Sequence, residues 1–132
     1  MNTHILITGA AGGIGAVTAR MAAQRGSAVT LMARASGRGE ADKLAAEIVE
    51  AGGKALVVIA DVSNEDEVVA AFQSAVETLG PLSGVVNAAG ITANAWVKDL
   101  DAGLADKVMK INVVGLMVCC REALRHMSTS SG

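Results

Sequence analysis

"ITGAAGGIG", residues 7–15, stands between a short apolar run, "HIL" at 4–6, and a long alanine-rich stretch. Gly9, Gly13 and Gly15 within it follow a strand-like segment directly and open a helix-like one. That context gives the pattern its meaning, because glycine spacing alone is weak. Gly9 can take a tight turn at positive φ, Gly13 lets backbone approach an anion, and Gly15 lets the helix pack close to the sheet. The free N–H groups and partial positive charge of the helix start then suit a diphosphate. No Lys follows at the spacing of a nucleoside triphosphate loop, which disfavours that ligand. The plainer reading of the same glycines is a tight βα turn with no ligand.

Outward from this loop, apolar runs rich in β-branched residues recur at 4–8, 28–33, 55–60 and 84–88. Helix-like stretches alternate with them at 13–24, 40–51, 65–79 and 101–127. Alternation of this kind predicts βαβ units and an α/β fold with a doubly wound parallel sheet. Continuous apolarity agrees, since strands covered on both faces need not alternate. Gly26, the pair at 52–53, and Gly80 with Pro81 supply stop signals, and Ser63 with Asp66 resembles a capping box for the third helix. The tail 127–132 reads as loop. Right-handed crossovers give four strands in the order 3-2-1-4, which leaves the apolar fourth strand as a poor edge. The sheet therefore reads as incomplete, a single domain over 1–132 that stops before a fifth strand.

Composition narrows the partners. Hydrophobic residues make up 52% of the 132 residues, and mean hydropathy is +0.44. Yet no apolar stretch nears the ~20 residues that span a bilayer. The longest, "INVVGLMVCC" at 111–120, is flanked by Lys110 and Arg121 and reads as a buried helix. The amino terminus lacks a secretory pattern, so a cytoplasmic location and no membrane partner are expected. A net charge of -2 with one Phe and one Trp offers neither a basic stripe nor a stacking platform, so nucleic acid is set aside. Cys119 and Cys120 read as buried reduced thiols, and His4 and His126 as ordinary surface positions, so no metal site is expected.

The spacing T-G-x-x-x-G-x-G at 8–15 resembles the short-chain dehydrogenase/reductase family, with weaker likeness to its sugar dehydrogenase members. The likeness extends to "DV" at 61–62, "NAAG" at 87–90 and "INVVG" at 111–115, in the order expected along the chain. It implies a Rossmann-like sheet and an NAD(P)-dependent oxidoreductase that interconverts an alcohol and a ketone or aldehyde by hydride transfer. By the same resemblance, Gly9, Gly13, Ile14 and Gly15 hold the cofactor diphosphate, and Asp61 with Val62 meets the adenine. Asn87, Ala88 and Gly90 line the next part of the site, although relatives carry a second Asn where this chain has Ala88. From the residues alone, an Asx turn leading into the Ser63 cap is the favoured reading of Asp61.

An acid at the end of the second strand would select NAD, and "LMARASGR" at 31–38 has none. Arg34 and Arg38 can instead meet a 2'-phosphate, which favours NADP over NAD, unless both are merely solvated. Asn112, amid apolar neighbours, needs hydrogen-bond partners if buried. Resemblance assigns it to the active site, where it holds a water that links the catalytic Lys to solvent. The catalytic Ser, Tyr and Lys of the family are not among these residues, and the chain contains no Tyr. They are expected beyond residue 132. A non-catalytic nucleotide-binding or interaction module is the alternative, and a purely structural partner a third reading. The family also implies a homodimer or homotetramer through the long helix, with Val108, Gly115 and Cys119 as suitable positions.

Overall fold

The computed structural model describes residues 2–127 of the chain; the part of the expected terminal loop from residue 128 onward lies outside them. Strands β1 (His4–Thr8), β2 (Ala28–Ala33), β3 (Ala55–Ile59) and β4 (Gly84–Asn87) form one parallel sheet in the order β3-β2-β1-β4. Leu6 sits beside Thr30 and Val85, and Ile7 beside Leu31 and Val86. Successive strand residues face opposite sides. Leu6 and Met32 therefore join one core with Val58, Phe72 and Ile111, while Ile7 and Leu31 join a second with Val29, Leu44 and Ile48. Burial on both faces is why each run reads as continuously apolar.

Helices α1 (Gly13–Gln24) and α2 (Arg38–Glu50) cover one face, and α3 (Glu65–Leu79) covers the other. The amino end of α3 differs from expectation: its cap is Asn64, whose side chain accepts from the Glu67 N–H at 3.2 Å. Ser63 is not the cap because its hydroxyl and N–H both donate to Asp61, the stronger acceptor nearby.

The expected single helix over 101–127 is three segments: α4 (Ala102–Met109), a π-helical stretch (Lys110–Gly115) and α5 (Leu116–His126). Asp101 caps α4 by accepting from the Gly103 N–H at 2.9 Å. Nor is this helix buried all round. Ile111, Gly115, Cys119 and Ala123 face the sheet, whereas Val113, Val114, Leu116, Met117 and Cys120 are exposed. Gly115 and Cys119, suggested above for self-association, are thus used within the subunit. One parallel bridge, Leu82 to Met127, joins the segment after α5 to the chain just before β4.

His4 also departs from the reading above. His4 is 2% exposed because it begins an inner strand. Its Nδ1 donates to the Gly80 carbonyl and its Nε2 accepts from the Thr30 hydroxyl, both at 2.8 Å. Glu122, also buried, accepts from Arg121 at 3.2 Å and Arg125 at 3.0 Å on its own helix.

Candidate functional site

The chain winds from β1 outward to β3, then crosses back to place β4 on the other side of β1. Where the winding direction reverses, the loops after neighbouring strands part and leave a crevice at the carboxyl ends. A cleft of about 460 Å³ occupies that place, lined by Gly9 and Gly12 after β1, Arg34 after β2, Asp61 after β3, and Ala88 to Ile91 after β4.

The glycine loop is built by close approach. Gly9 has φ +63, and a Cβ there would lie 2.7 Å from both the Ala88 carbonyl oxygen and the Ala89 nitrogen. Only glycine lets these two loops touch. Thr8, 1% exposed, completes the junction by accepting from the N–H groups of Ala88 and Ala89 at 3.1 Å each. Gly15 presses against the Gly9 backbone, and Gly13, at φ +52, has open space where a side chain would be.

The amino end of α1 is unlike those of α3 and α4. Its cap residue Gly12 makes no side-chain hydrogen bond, whereas Asn64 and Asp101 cap theirs, and like α4 it has no acidic residue in its first turn. The first N–H groups of a helix have no intrahelical partner and carry partial positive charge. Here they open beside Gly12 at the mouth of the cleft, an arrangement that favours an anion.

Asp61 lies at the end of the cleft beyond β3. Its Oδ1 accepts from the Ser63 hydroxyl at 2.7 Å and the Ser63 N–H at 2.9 Å. Those bonds, with the charges of Arg34 and Lys107 behind them, hold its carboxyl below the usual range despite partial burial. The Asx turn and the cleft position thus coexist, with both bonds on one oxygen.

Asn112 lies in the π-helical stretch, half-buried, and bonds only backbone: Oδ1 accepts from the Ile91 N–H and Nδ2 donates to the Ile91 carbonyl. It anchors the loop after β4. Asn87 has its Nδ2 3.5 Å from the Cys120 sulfur, while its Oδ1 is buried with no partner among the described residues.

Gly9, Arg34, Asp61, Val62, Ala88 and Gly90 line the cleft together; Gly13, Ile14, Gly15 and Asn87 flank it without forming its wall. Ile14 is 80% exposed on the first turn of α1. Arg38 opens α2 and is also outside the wall. Sequence reading passed over Thr8, Ser36, Gly37, Glu40 and Ile111 as site residues. Ile111 precedes Asn112 in a quoted motif, but nothing in the local pattern marks Glu40.

The family profile described as short chain dehydrogenase matches residues 3–132. The chain is 41% identical over 126 residues to the cis-4-hydroxycyclohexanecarboxylate dehydrogenase of Sinomonas cyclohexanicum, covering 95% of this chain and 49% of that protein. It is 39% identical over 129 residues to the 3beta-hydroxysteroid dehydrogenase of Mediterraneibacter gnavus, covering 97% and 46% respectively. A crystal structure of a dehydrogenase/reductase from Sinorhizobium meliloti 1021 superposes with a TM-score of 0.92 at 33% identity, over 96% of this chain and 50% of that one. The chain spans about half the length of the curated relatives it matches.

Proposed function

The chain belongs to the short-chain dehydrogenase family, and from that premise we propose that it forms the cofactor-holding part of a nicotinamide-dependent oxidoreductase acting on an alcohol or its carbonyl counterpart. Membership implies NAD or NADP. The observation that carries the reading is the uncapped, acid-free amino end of α1 opening on the cleft at the switch point of the sheet.

The residues present fit such a group. Gly9, Gly12 and Gly13, with the N–H groups of Ile14 and Gly15, take the diphosphate. Asp61 and Val62 receive the adenine, since an ionised carboxylate accepts from an amino group. Arg34, exposed at the cleft wall, meets a 2'-phosphate, which favours NADP. Ala88 and Gly90 form the floor, and Asn112 fixes the loop beyond them.

A bound nicotinamide supplies the hydride acceptor or donor. This chain's residues orient it; the proton transfer at the substrate oxygen that the family's Ser, Tyr and Lys perform is assigned to none of these 132 residues, which contain no Tyr. No helix of the described residues is long and apolar enough to cross a membrane; a cytoplasmic setting is proposed. Self-association is proposed through the exposed side of the helix, Val113, Leu116 and Met117.

The test is turnover by the full-length protein with NADPH or NADH against a panel of secondary alcohols, ketones and aldehydes, followed by nicotinamide absorbance. Cofactor-dependent turnover of some member supports the reading. Nucleotide binding without turnover of any would point instead to a binding module.

A further inference from the structure

Ser63 follows the cleft residues Asp61 and Val62 and directly precedes the cap of α3. Its hydroxyl donates to Asp61 Oδ1 at 2.7 Å, and its N–H donates to the same oxygen at 2.9 Å. Neither bond serves the helix, because Asn64 caps α3 by accepting from the Glu67 N–H. The chain reversal is closed separately, by the Asn64 N–H donating to the Asp61 carbonyl at 2.9 Å. The Ser63 hydroxyl is thus spare to the turn and to the helix. What it holds is the Asp61 carboxylate.

Among the described residues no other group fixes that carboxylate. Arg34 and Lys107 lend it charge, but neither forms a salt bridge with it. Its Oδ2 accepts no hydrogen bond among the described residues, since both donors go to Oδ1. The terminal torsion of an aspartate is broad, so an unrestrained carboxylate presents either oxygen over a wide arc. Two bonds from one residue to Oδ1 remove that freedom and leave Oδ2 as the open acceptor.

We infer that Ser63 is a positioning residue: by pinning one oxygen of Asp61 it holds the other ready to accept from the exocyclic amino group of the cofactor's adenine. The inference rests on the cleft holding a nicotinamide dinucleotide with its adenine at Asp61. An acceptor that is already set loses less freedom when the ligand arrives. A purine with oxygen in place of the amino group gains nothing from it, since a carbonyl and a carboxylate are both acceptors. Ser63 therefore acts on the choice of base and leaves the diphosphate end untouched.

The experiment titrates full-length wild type and variants with NADH, NADPH and the hypoxanthine counterpart of each, in which oxygen replaces the adenine amino group. Ser63→Ala is expected to weaken the adenine dinucleotides by about three- to tenfold, the range of one hydrogen bond, and to leave the hypoxanthine forms unchanged. Ser63→Cys, a weak donor of similar size, should show the same selective loss, and Ser63→Thr should keep wild-type affinity. In an Asp61→Ala background, Ser63→Ala should have no further effect. Equal weakening for both bases, which a merely loosened turn would give, an undiminished effect in the Asp61→Ala background, or no weakening at all would overturn the inference. Wild type that binds adenine and hypoxanthine forms alike would also overturn it while leaving the dinucleotide reading in place. Wild type that binds none of the four would overturn that reading and take this inference with it.

Discussion

The carboxamide of Asn112 grips both polar backbone groups of Ile91, accepting its N–H at 2.9 Å and donating to its carbonyl at 2.7 Å. A side chain in the π-helical stretch thereby fixes the loop that follows β4, and π-helical turns recur at functional sites.

Replacing Asn112 with Leu leaves two backbone groups without partners, at a cost of about 1–3 kcal/mol. Asn112→Asp keeps the acceptor but sets a carboxylate oxygen against the Ile91 carbonyl. Both variants are expected to lower the urea midpoint and weaken NADPH binding. Unchanged stability and binding in both would mean that the loop after β4 is held elsewhere.

Thr8 accepts from Ala88 and Ala89 together and so joins the first and fourth strands at the cleft floor. Thr8→Val keeps the shape and removes the oxygen; it should cost about 1–3 kcal/mol by thermal unfolding, whereas Thr8→Ser should cost much less. Equal effects of Val and Ser would assign the cost to packing instead.

Acid sensitivity follows from His4. Burial lowers its pKa below the ordinary 6.5, partly offset by its bond to the Gly80 carbonyl. The folded state keeps the ring neutral while the unfolded state takes up a proton, so its contribution is complete above pH 6.5 and is lost progressively as pH falls from there toward the lower folded-state value. Asp61 acts in a separate window, because its depressed pKa withdraws stability only as pH drops below 3.8. Urea midpoints from pH 8 to 5 should fall for wild type and fall less steeply for His4→Gln, over about the range of histidine titration. Parallel profiles would remove His4 from the explanation.

Arg34→Glu is expected to raise the NADPH dissociation constant by about tenfold or more, the loss of a charge-assisted phosphate contact, with little change for NADH. Fluorescence titration reads it. Equal affinity of the variant and wild type for NADPH would place the 2'-phosphate away from Arg34.

Much of the fold was legible because the strand runs Ile5 to Ile7, Val29 to Met32 and Leu56 to Val58 must be covered on both faces, which only a parallel α/β sheet with helices on each side provides. Topology followed from crossover handedness. What escaped was long-range. His4 looked superficial because nothing local tells that Gly80 and Thr30 come to meet its ring. The helix beyond residue 101 looked uniformly buried because composition does not distinguish the side facing the sheet, Ile111 and Cys119, from the side left exposed, Val113 and Met117. On the cleft wall, Gly9 could be read from the glycine spacing and Asp61 from the family resemblance of its motif. Glu40 could not, since its place on the wall depends on the turn at Ala35–Gly37 folding back upon Ala11.

The most direct test of the central claim uses Gly12. Its backbone is extended, at φ -164, and open space surrounds the position of a Cβ, so Asp fits there as a helix cap. The added carboxylate would occupy the N–H groups assigned to the diphosphate and repel it. By calorimetry, full-length wild type should bind NADPH or NADH at sub-millimolar concentration, and Gly12→Asp should lose that binding while its melting temperature stays level or rises. Undiminished binding by Gly12→Asp, or no heat from either dinucleotide with wild type, would contradict the account.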